Sequence, residues 1–326
     1  MKPSFHPRLI NGPFDDPGLY VRILREGRAL MFDLGSVSSL SPRDILKITD
    51  VFISHTHIDH FIGFDNVLRI SLKKETPLRL YGPEGFIDRI EGKLKGYTWN
   101  LIEDYPVVLN VSEVCGSMIR RAVFRAENTF KRENTETAPF QGVLLTDPFC
   151  KVSAVVLDHH IPCLAFSIEE DYHINIDKDK LKRMNLPVGP WLGELKTAIR
   201  ENALSHVLTV NGKAYACAEL KDVANITKGQ KITYVADVLG SKENVDRIIG
   251  IAQGADVLYI EAYFSDEDGD RAKERYHLTA KEAGIIAGRA NVGRIEPFHF
   301  SPRYTDEPER LSREAQEAFE QNRLHD

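Results

Sequence analysis

The chain has 326 residues, 42% hydrophobic and 28% charged, so it can bury a large core and needs no covalent staples to fold. A formal net charge of −6 argues against a surface broadly coated for nucleic acid and leaves room for a local basic patch only. The four cysteines, Cys115, Cys150, Cys163 and Cys217, form no C-x-x-C pair and no disulfide framework, and residues 1–7 carry no apolar signal core. No stretch approaches the roughly 18 apolar residues of a membrane span. A reduced, unexported protein of the cytoplasm is expected, folded over 1–326 as a single domain.

Taken in chain order, short apolar runs rich in Val, Ile and aromatics read as strands at 19–24, 29–32, 51–53, 78–81 and 107–111. Between the second and third, Ser41-Pro42-Arg43-Asp44 sets a capping hydroxyl before a proline and an acid, which predicts a short helix to about Lys47. The second half repeats the strand pattern at 152–157, 163–168, 232–236, 257–260 and 294–298, now alternating with helical stretches. Thr279-Ala280-Lys281-Glu282 is a capping box opening a helix through Ala290, and 307–323 reads as a polar C-terminal helix. The fold class is therefore mixed α/β. Residues 169–213 interrupt this rhythm with Lys178, Lys180, Lys182, Arg183, Lys196 and Arg200 around Pro187-Val188-Gly189-Pro190-Trp191, and read as an excursion from the core.

The strongest chemical signal is Ser54-His55-Thr56-His57-Ile58-Asp59-His60, directly after a predicted buried strand. Residues two apart in extended chain project to one side, so His55 and His57 can converge on one ion; once the chain turns, Asp59 and His60 can face a second. Further ligands must come from elsewhere, and three candidates follow predicted strands: His159, Asp237 and His299. Strand ends feeding loops are where a rigid scaffold presents reactive groups. Two divalent ions held by histidine and carboxylate can acidify a shared water and polarise a phosphodiester. Zinc suits such ligands, with manganese an alternative. A carboxylate placed as Asp59 can steer that water or take its proton. His277 is the natural donor to a leaving oxygen, with Glu261 to orient it. Ser301, Arg303, Tyr304 and Thr279 are candidate substrate contacts beside His299 and His277.

The order H-x-H-x-D-H, Asp158-His159-His160-Ile161-Pro162, Asp237 after a strand, Ile260-Glu261-Ala262, His277-Leu278-Thr279-Ala280 and His299-Phe300-Ser301-Pro302-Arg303-Tyr304 resembles ribonuclease Z, in the metallo-β-lactamase superfamily. The stretch Pro187 to Lys196 is also similar to that family's pattern. The resemblance implies an αββα sandwich of two β-sheets flanked by helices. It implies one metal held by His55, His57 and His159, another by Asp59, His60 and His299, and Asp237 between them. His160 would be a neighbour, not a ligand. It further implies a phosphodiesterase or endoribonuclease that processes pre-tRNA 3′ ends with metal-activated water as nucleophile, as a homodimer whose 169–213 arm holds tRNA.

Four places depart from the family pattern. Leu34-Gly35-Ser36-Val37-Ser38-Ser39 stands where Gly-Glu-Gly-Thr-Gln is usual, and Asn11 to Pro17 is acidic where a basic Pro-x-Lys-x-Arg-Asn segment is usual. Val238 and Leu278 replace a threonine and a serine. They leave open a small ester, lactone, sulfate or cyclic nucleotide as the alternative substrate.

Overall fold

The computed structural model describes residues 4–24, 26–170 and 172–323; the first three residues of the amino-terminal stretch considered above lie outside them. The chain divides into two compact units. The larger holds Phe5–Leu144, Val152–Ile168 and the chain from Lys231 onward; the smaller holds Ser4, Leu145–Lys151 and Glu169–Gln230.

In the larger unit, the eight strands Phe5–Leu9, Leu19–Ile23, Ala29–Phe32, Ile48–Phe52, Leu78–Pro83, Val108–Cys115, Met118–Arg125 and Arg132–Pro139 form one sheet in sequence order. The middle four run parallel and the flanking pairs antiparallel. A second, six-stranded sheet runs Ile295–Phe298, Val257–Glu261, Lys231–Val235, Pro162–Glu169, Lys151–Asp158 and Val143–Thr146, the first three parallel.

Period-two alternation decides which side each residue serves. Met31, Val51 and Ile53 pack toward helices Phe64–Ser71 and Phe86–Lys95, which bury Phe64, Val67 and Leu68, and Phe86, Ile87, Ile90 and Leu94 at helical spacing. Their alternates Phe32 and Phe52 meet Phe166 of the other sheet at 5.7 Å each, and Phe32 lies 5.9 Å from Tyr234. Tyr234 stacks in turn on Phe298 at 5.1 Å. This aromatic seam fixes the two sheets face to face. The far face of the second sheet is covered by helices Lys242–Ala252, Ala280–Arg289 and Arg310–Asn322 through Ile248, Ala283, Ile286, Leu311 and Phe319. The layers are helix, sheet, sheet, helix.

Local signals act as expected where they are strong. Ser41 accepts from the Asp44 N–H, and Thr279 and Glu282 make both halves of a capping box. The C-terminal helix begins at Arg310, not 307, because Pro308 lies in a turn before it.

The smaller unit has two two-stranded ribbons, Tyr172–Ile176 with Ala224–Lys228 and Val207–Val210 with Lys213–Ala216, and helices Lys178–Arg183 and Trp191–Arg200. Leu181, Leu195, Leu208 and Leu220 form its own core. The 169–213 segment lies wholly inside it. Among the described residues no helix is long and apolar enough to cross a membrane, and all four cysteines are free.

Candidate metal centre

Strand ends deliver the site. Asp33 follows Ala29–Phe32, His55 follows Ile48–Phe52, His159 follows Lys151–Asp158, Asp237 follows Lys231–Val235, Glu261 closes Val257–Glu261 and His299 follows Ile295–Phe298. Asp33 and His299 adopt left-handed backbone, φ 54° and 57°, at a cost of about 1–2 kcal/mol each for non-glycine residues. His57 stands at the N-cap position of the one-turn helix Ile58–Phe61, which carries Asp59 and brings the His60 ring to 4.2 Å from that of His55. That loop is clamped by close backbone approach: a Cβ on Gly63 would sit 2.2 Å from the Gly35 carbonyl, and one on Gly35 2.8 Å from the Asp59 carbonyl.

Two ligand groups result, His55, His57, His159 and Asp237, and Asp59, His60 and His299, each with its candidate atoms within 4.8 Å of one another. Asp237 addresses both. Its Oδ2 lies 3.7 Å from His55 Nε2 and 3.5 Å from His159 Nε2, and its Oδ1 3.3 Å from His60 Nε2 and 2.7 Å from His299 Nδ1. Yet His55 Nε2, His60 Nε2, Asp237 Oδ1 and His299 Nδ1 are buried without a hydrogen-bond partner. Short separation without hydrogen-bond alignment, in groups that would each cost about 1–3 kcal/mol to bury unpaired, fits lone pairs aimed at cations and not at each other. The residues therefore fit divalent metals.

Three of the histidines have their outer nitrogen engaged. His159 Nδ1 donates to the Tyr276 carbonyl at 2.7 Å, and His55 Nδ1 lies 3.1 Å from Ser54 Oγ. His60 Nδ1 lies 2.9 Å from Asp33 Oδ2, which also accepts from Ser54 Oγ at 2.8 Å and Tyr234 OH at 2.9 Å, while Asp33 Oδ1 takes the Ser54 N–H at 2.7 Å. Asp33 thus fixes the ring plane of His60, a role not evident from the sequence. Its signal was present: a lone acid ending an apolar strand whose neighbours are all buried. Asp33→Asn is expected to weaken metal retention about 10- to 100-fold in chelator competition; unchanged retention would mean His60 is oriented by something else.

Burial and the neighbouring His60 push the His55 imidazole down to about 2, so it is neutral and keeps a lone pair free. Burial alone would lower His299, but Asp237 and Asp59 raise it to about 9. For Asp59, burial is outweighed by contacts with His299 and His60, which hold the carboxyl ionised.

A cleft of about 500 Å³ opens on this cluster, lined by His57, Asp59, His159, Asp237, His277 and His299 among others. His277 Nδ1 lies 2.9 Å from Glu261 Oε2, and its ring stacks on Tyr263 at 4.1 Å. Glu261 Oε1 accepts the Val238 N–H at 2.6 Å, so both its oxygens are used within the protein. Burial lowers the His277 pKa, but Glu261 outweighs it and the net shift is upward. His277 and Glu261 also fall within ligand distance of Asp237 and His299; the occupied Glu261 oxygens separate this pair from the two ligand groups.

Ser301 and Arg303 line the cleft. Tyr304 and Thr279 do not, contrary to expectation. The Tyr304 hydroxyl donates to Asp268 and accepts the Ser265 N–H at 3.2 Å, and the Thr279 hydroxyl is taken by its helix cap. His160 is exposed and stacks on Tyr276 at 4.6 Å. The departures at Asn11 to Pro17 and Leu34 to Ser39 prove to be one hydrogen-bonded unit: Asp16 Oδ2 accepts the Ser36 N–H at 3.0 Å, and Asn11 Nδ2 bridges the Asp16 and Ser36 carbonyls at 2.8 Å each. Neither lines the cleft. Val238 and Leu278 are buried.

Among solved structures, the chain is similar to the short form of human tRNase Z, with TM-score 0.55 and 21% identity over 92% of this chain and 93% of that one. It is likewise similar to the metallo-beta-lactamase fold protein YhfI of Bacillus subtilis, with TM-score 0.55 and 17% identity over 98% and 94%. Fold and site define a metal-dependent hydrolase of the metallo-β-lactamase fold. A ribonuclease Z of Lactiplantibacillus plantarum is 30% identical over 93% of this chain and 88% of its own, and one of Deinococcus radiodurans 28% over 85% and 83%. The chain belongs to the ribonuclease Z family. No family model matches it.

Proposed function

We propose that this protein is an endoribonuclease that removes 3′ extensions from precursor tRNA. The observation that carries the reading is Asp237, whose two oxygens face separate pairs of histidine nitrogens, three of the four buried and unpartnered, the arrangement a two-cation phosphodiesterase needs. His55, His57 and His159 would hold one ion and Asp59, His60 and His299 the other, with Asp237 between; nitrogen and carboxylate donors suit zinc. When bound, the ions supply Lewis acidity to the phosphodiester and to the attacking water.

The chain's own groups do the rest. Asp59 turns Oδ2 toward His60 and His299, each at 3.4 Å, leaving Oδ1 to orient the attacking water. His277 holds a proton at Nε2, the nitrogen that Glu261 does not engage, and passes it to the leaving sugar oxygen. Ser301 and Arg303 receive the phosphate. In the smaller unit the exposed Lys178, Lys182 and Arg183 are among the side chains positioned to meet tRNA; Arg200 is spent on Glu170 at 2.6 Å. The working form is a cytoplasmic homodimer, which sedimentation would test: a monomer at working concentration removes it.

The test is cleavage of a 3′-extended pre-tRNA by enzyme of known metal content. A single cut at the end of the mature acceptor stem is expected, and Asp59→Ala should lower turnover by at least about 10²-fold. Diester hydrolysis without site-specific tRNA cleavage would overturn the reading.

A further inference from the structure

Two side chains of the cleft have no part in the chemistry above. Arg271 and Arg275 line it from helix Gly269–Glu274 and the residue that ends it. The Arg275 N–H donates to the Arg271 carbonyl at 3.0 Å, so the two lie one turn apart on one side. Three of the four acids just before them are already matched: Lys281 pairs with Asp266 at 2.8 Å, Arg310 with Glu267 at 2.6 Å, and Arg303 reaches Asp268 at 3.9 Å, while the fourth, Asp270, forms no ion pair with either arginine. Among the described residues, neither the Arg271 nor the Arg275 guanidinium has a hydrogen-bond or ion-pair partner. In a chain of net charge −6, two adjacent uncompensated guanidiniums at a reactive cleft make a local positive field that only an incoming anion satisfies.

Their position relative to the chemistry is fixed by the backbone. The His277 N–H donates to the Ala272 carbonyl at 2.9 Å, and the Tyr276 carbonyl accepts from His159 Nδ1 at 2.7 Å. One short segment therefore carries the arginines, the proton donor and a brace for a ligand histidine. Both arginines line the same cleft as His277.

We propose that Arg271 and Arg275 clamp a backbone phosphate of the RNA strand on the leaving-oxygen side of the scissile bond. This rests on reading the site as an RNA phosphodiesterase. Paired guanidiniums offer planar, two-point hydrogen bonding to phosphate oxygens, which lysines do not reproduce. The clamp would grip a polynucleotide through a neighbouring phosphate and give a lone small diester no comparable hold.

The experiment is binding of a 3′-extended pre-tRNA by fluorescence anisotropy across a salt series, in the full-length, metal-loaded Asp59→Ala protein to suppress cleavage. Adding Arg271→Ala and Arg275→Ala is expected to weaken binding about tenfold and to reduce the slope of log affinity against log salt by about two. Lysine at both positions should restore the slope but only part of the affinity. With Asp59 intact, the alanine pair should lower kcat/KM on the RNA at least tenfold more than on bis(p-nitrophenyl) phosphate. Unchanged affinity and slope would overturn the clamp while leaving the RNA reading standing. Absence of RNA binding in the Asp59→Ala parent, with aryl diester hydrolysis intact in the enzyme that keeps Asp59, would overturn the reading itself and the clamp with it.

Discussion

Asp237→Ala is expected to remove both metals and all measurable turnover. One carboxylate faces four histidine nitrogens at 2.7–3.7 Å, so its loss strips a donor from both ligand groups at once. The metal-free protein should suffer as well. Asp237 is 3% exposed and is the largest counter-charge raising His60 and His299 against burial. Removing one partner from a buried charged set costs about 3–5 kcal/mol. In metal-free wild type the His299 contribution is fully present below its ordinary value of 6.5 and is lost as pH rises through about 9. Metal content by elemental analysis and metal-free denaturation at pH 6 and pH 9 check both parts. A variant that keeps two ions, or a metal-free variant as stable as its parent at pH 6, would refute the bridging role.

His277→Ala should divide substrates by their leaving groups. A ribose hydroxyl is a poor leaving group and needs its proton, so kcat on pre-tRNA is expected to fall by about 10²- to 10⁴-fold. A p-nitrophenolate leaves without protonation, so bis(p-nitrophenyl) phosphate should lose far less. Glu261→Gln keeps the Val238 contact and a hydrogen bond to Nδ1 but removes the charge that raises the His277 pKa. It should show the same division in weaker form. Equal losses on both substrates would assign His277 to holding the cleft together and not to proton delivery.

How much of this could be read beforehand depended on what each residue does locally. The parallel strands announce themselves because both faces are buried and their sequences are nearly unbroken apolar runs, as at Ala29–Phe32 and Val257–Glu261. Phe5–Leu9 and Arg132–Pro139 escape that test. The first exposes His6 and Arg8 along an edge, and the second is half-exposed throughout and pairs only at the margin of its sheet. The metal-facing residues were legible because spacing and strand ends constrain them. Asp33 was not, because it acts across the chain, meeting His60 and Tyr234, 27 and 201 residues away; nor were Arg271 and Arg275, which only the folded cleft sets apart from other surface cations. Tyr304 and Thr279 show the reverse error. Proximity in sequence to His299 and His277 suggested contact with substrate, while local capping and the Asp268 contact turned their hydroxyls away.

The distribution of the site along the chain sets a timetable for its birth. His55, His57, His159 and Asp237 are all present once the strand Lys231–Val235 has been synthesised, whereas His299 follows Ile295–Phe298, the edge strand of the second sheet. Domains generally fold from the amino-terminal side during synthesis. A nascent chain would then hold one complete ligand group while the other still waits for its last member, and helix Arg310–Asn322, which packs over that edge strand, comes later still. Ribosome-bound intermediates should therefore be able to take up one ion before they can take up two, so that an incomplete chain carries metal without the capacity to cut the RNAs around it.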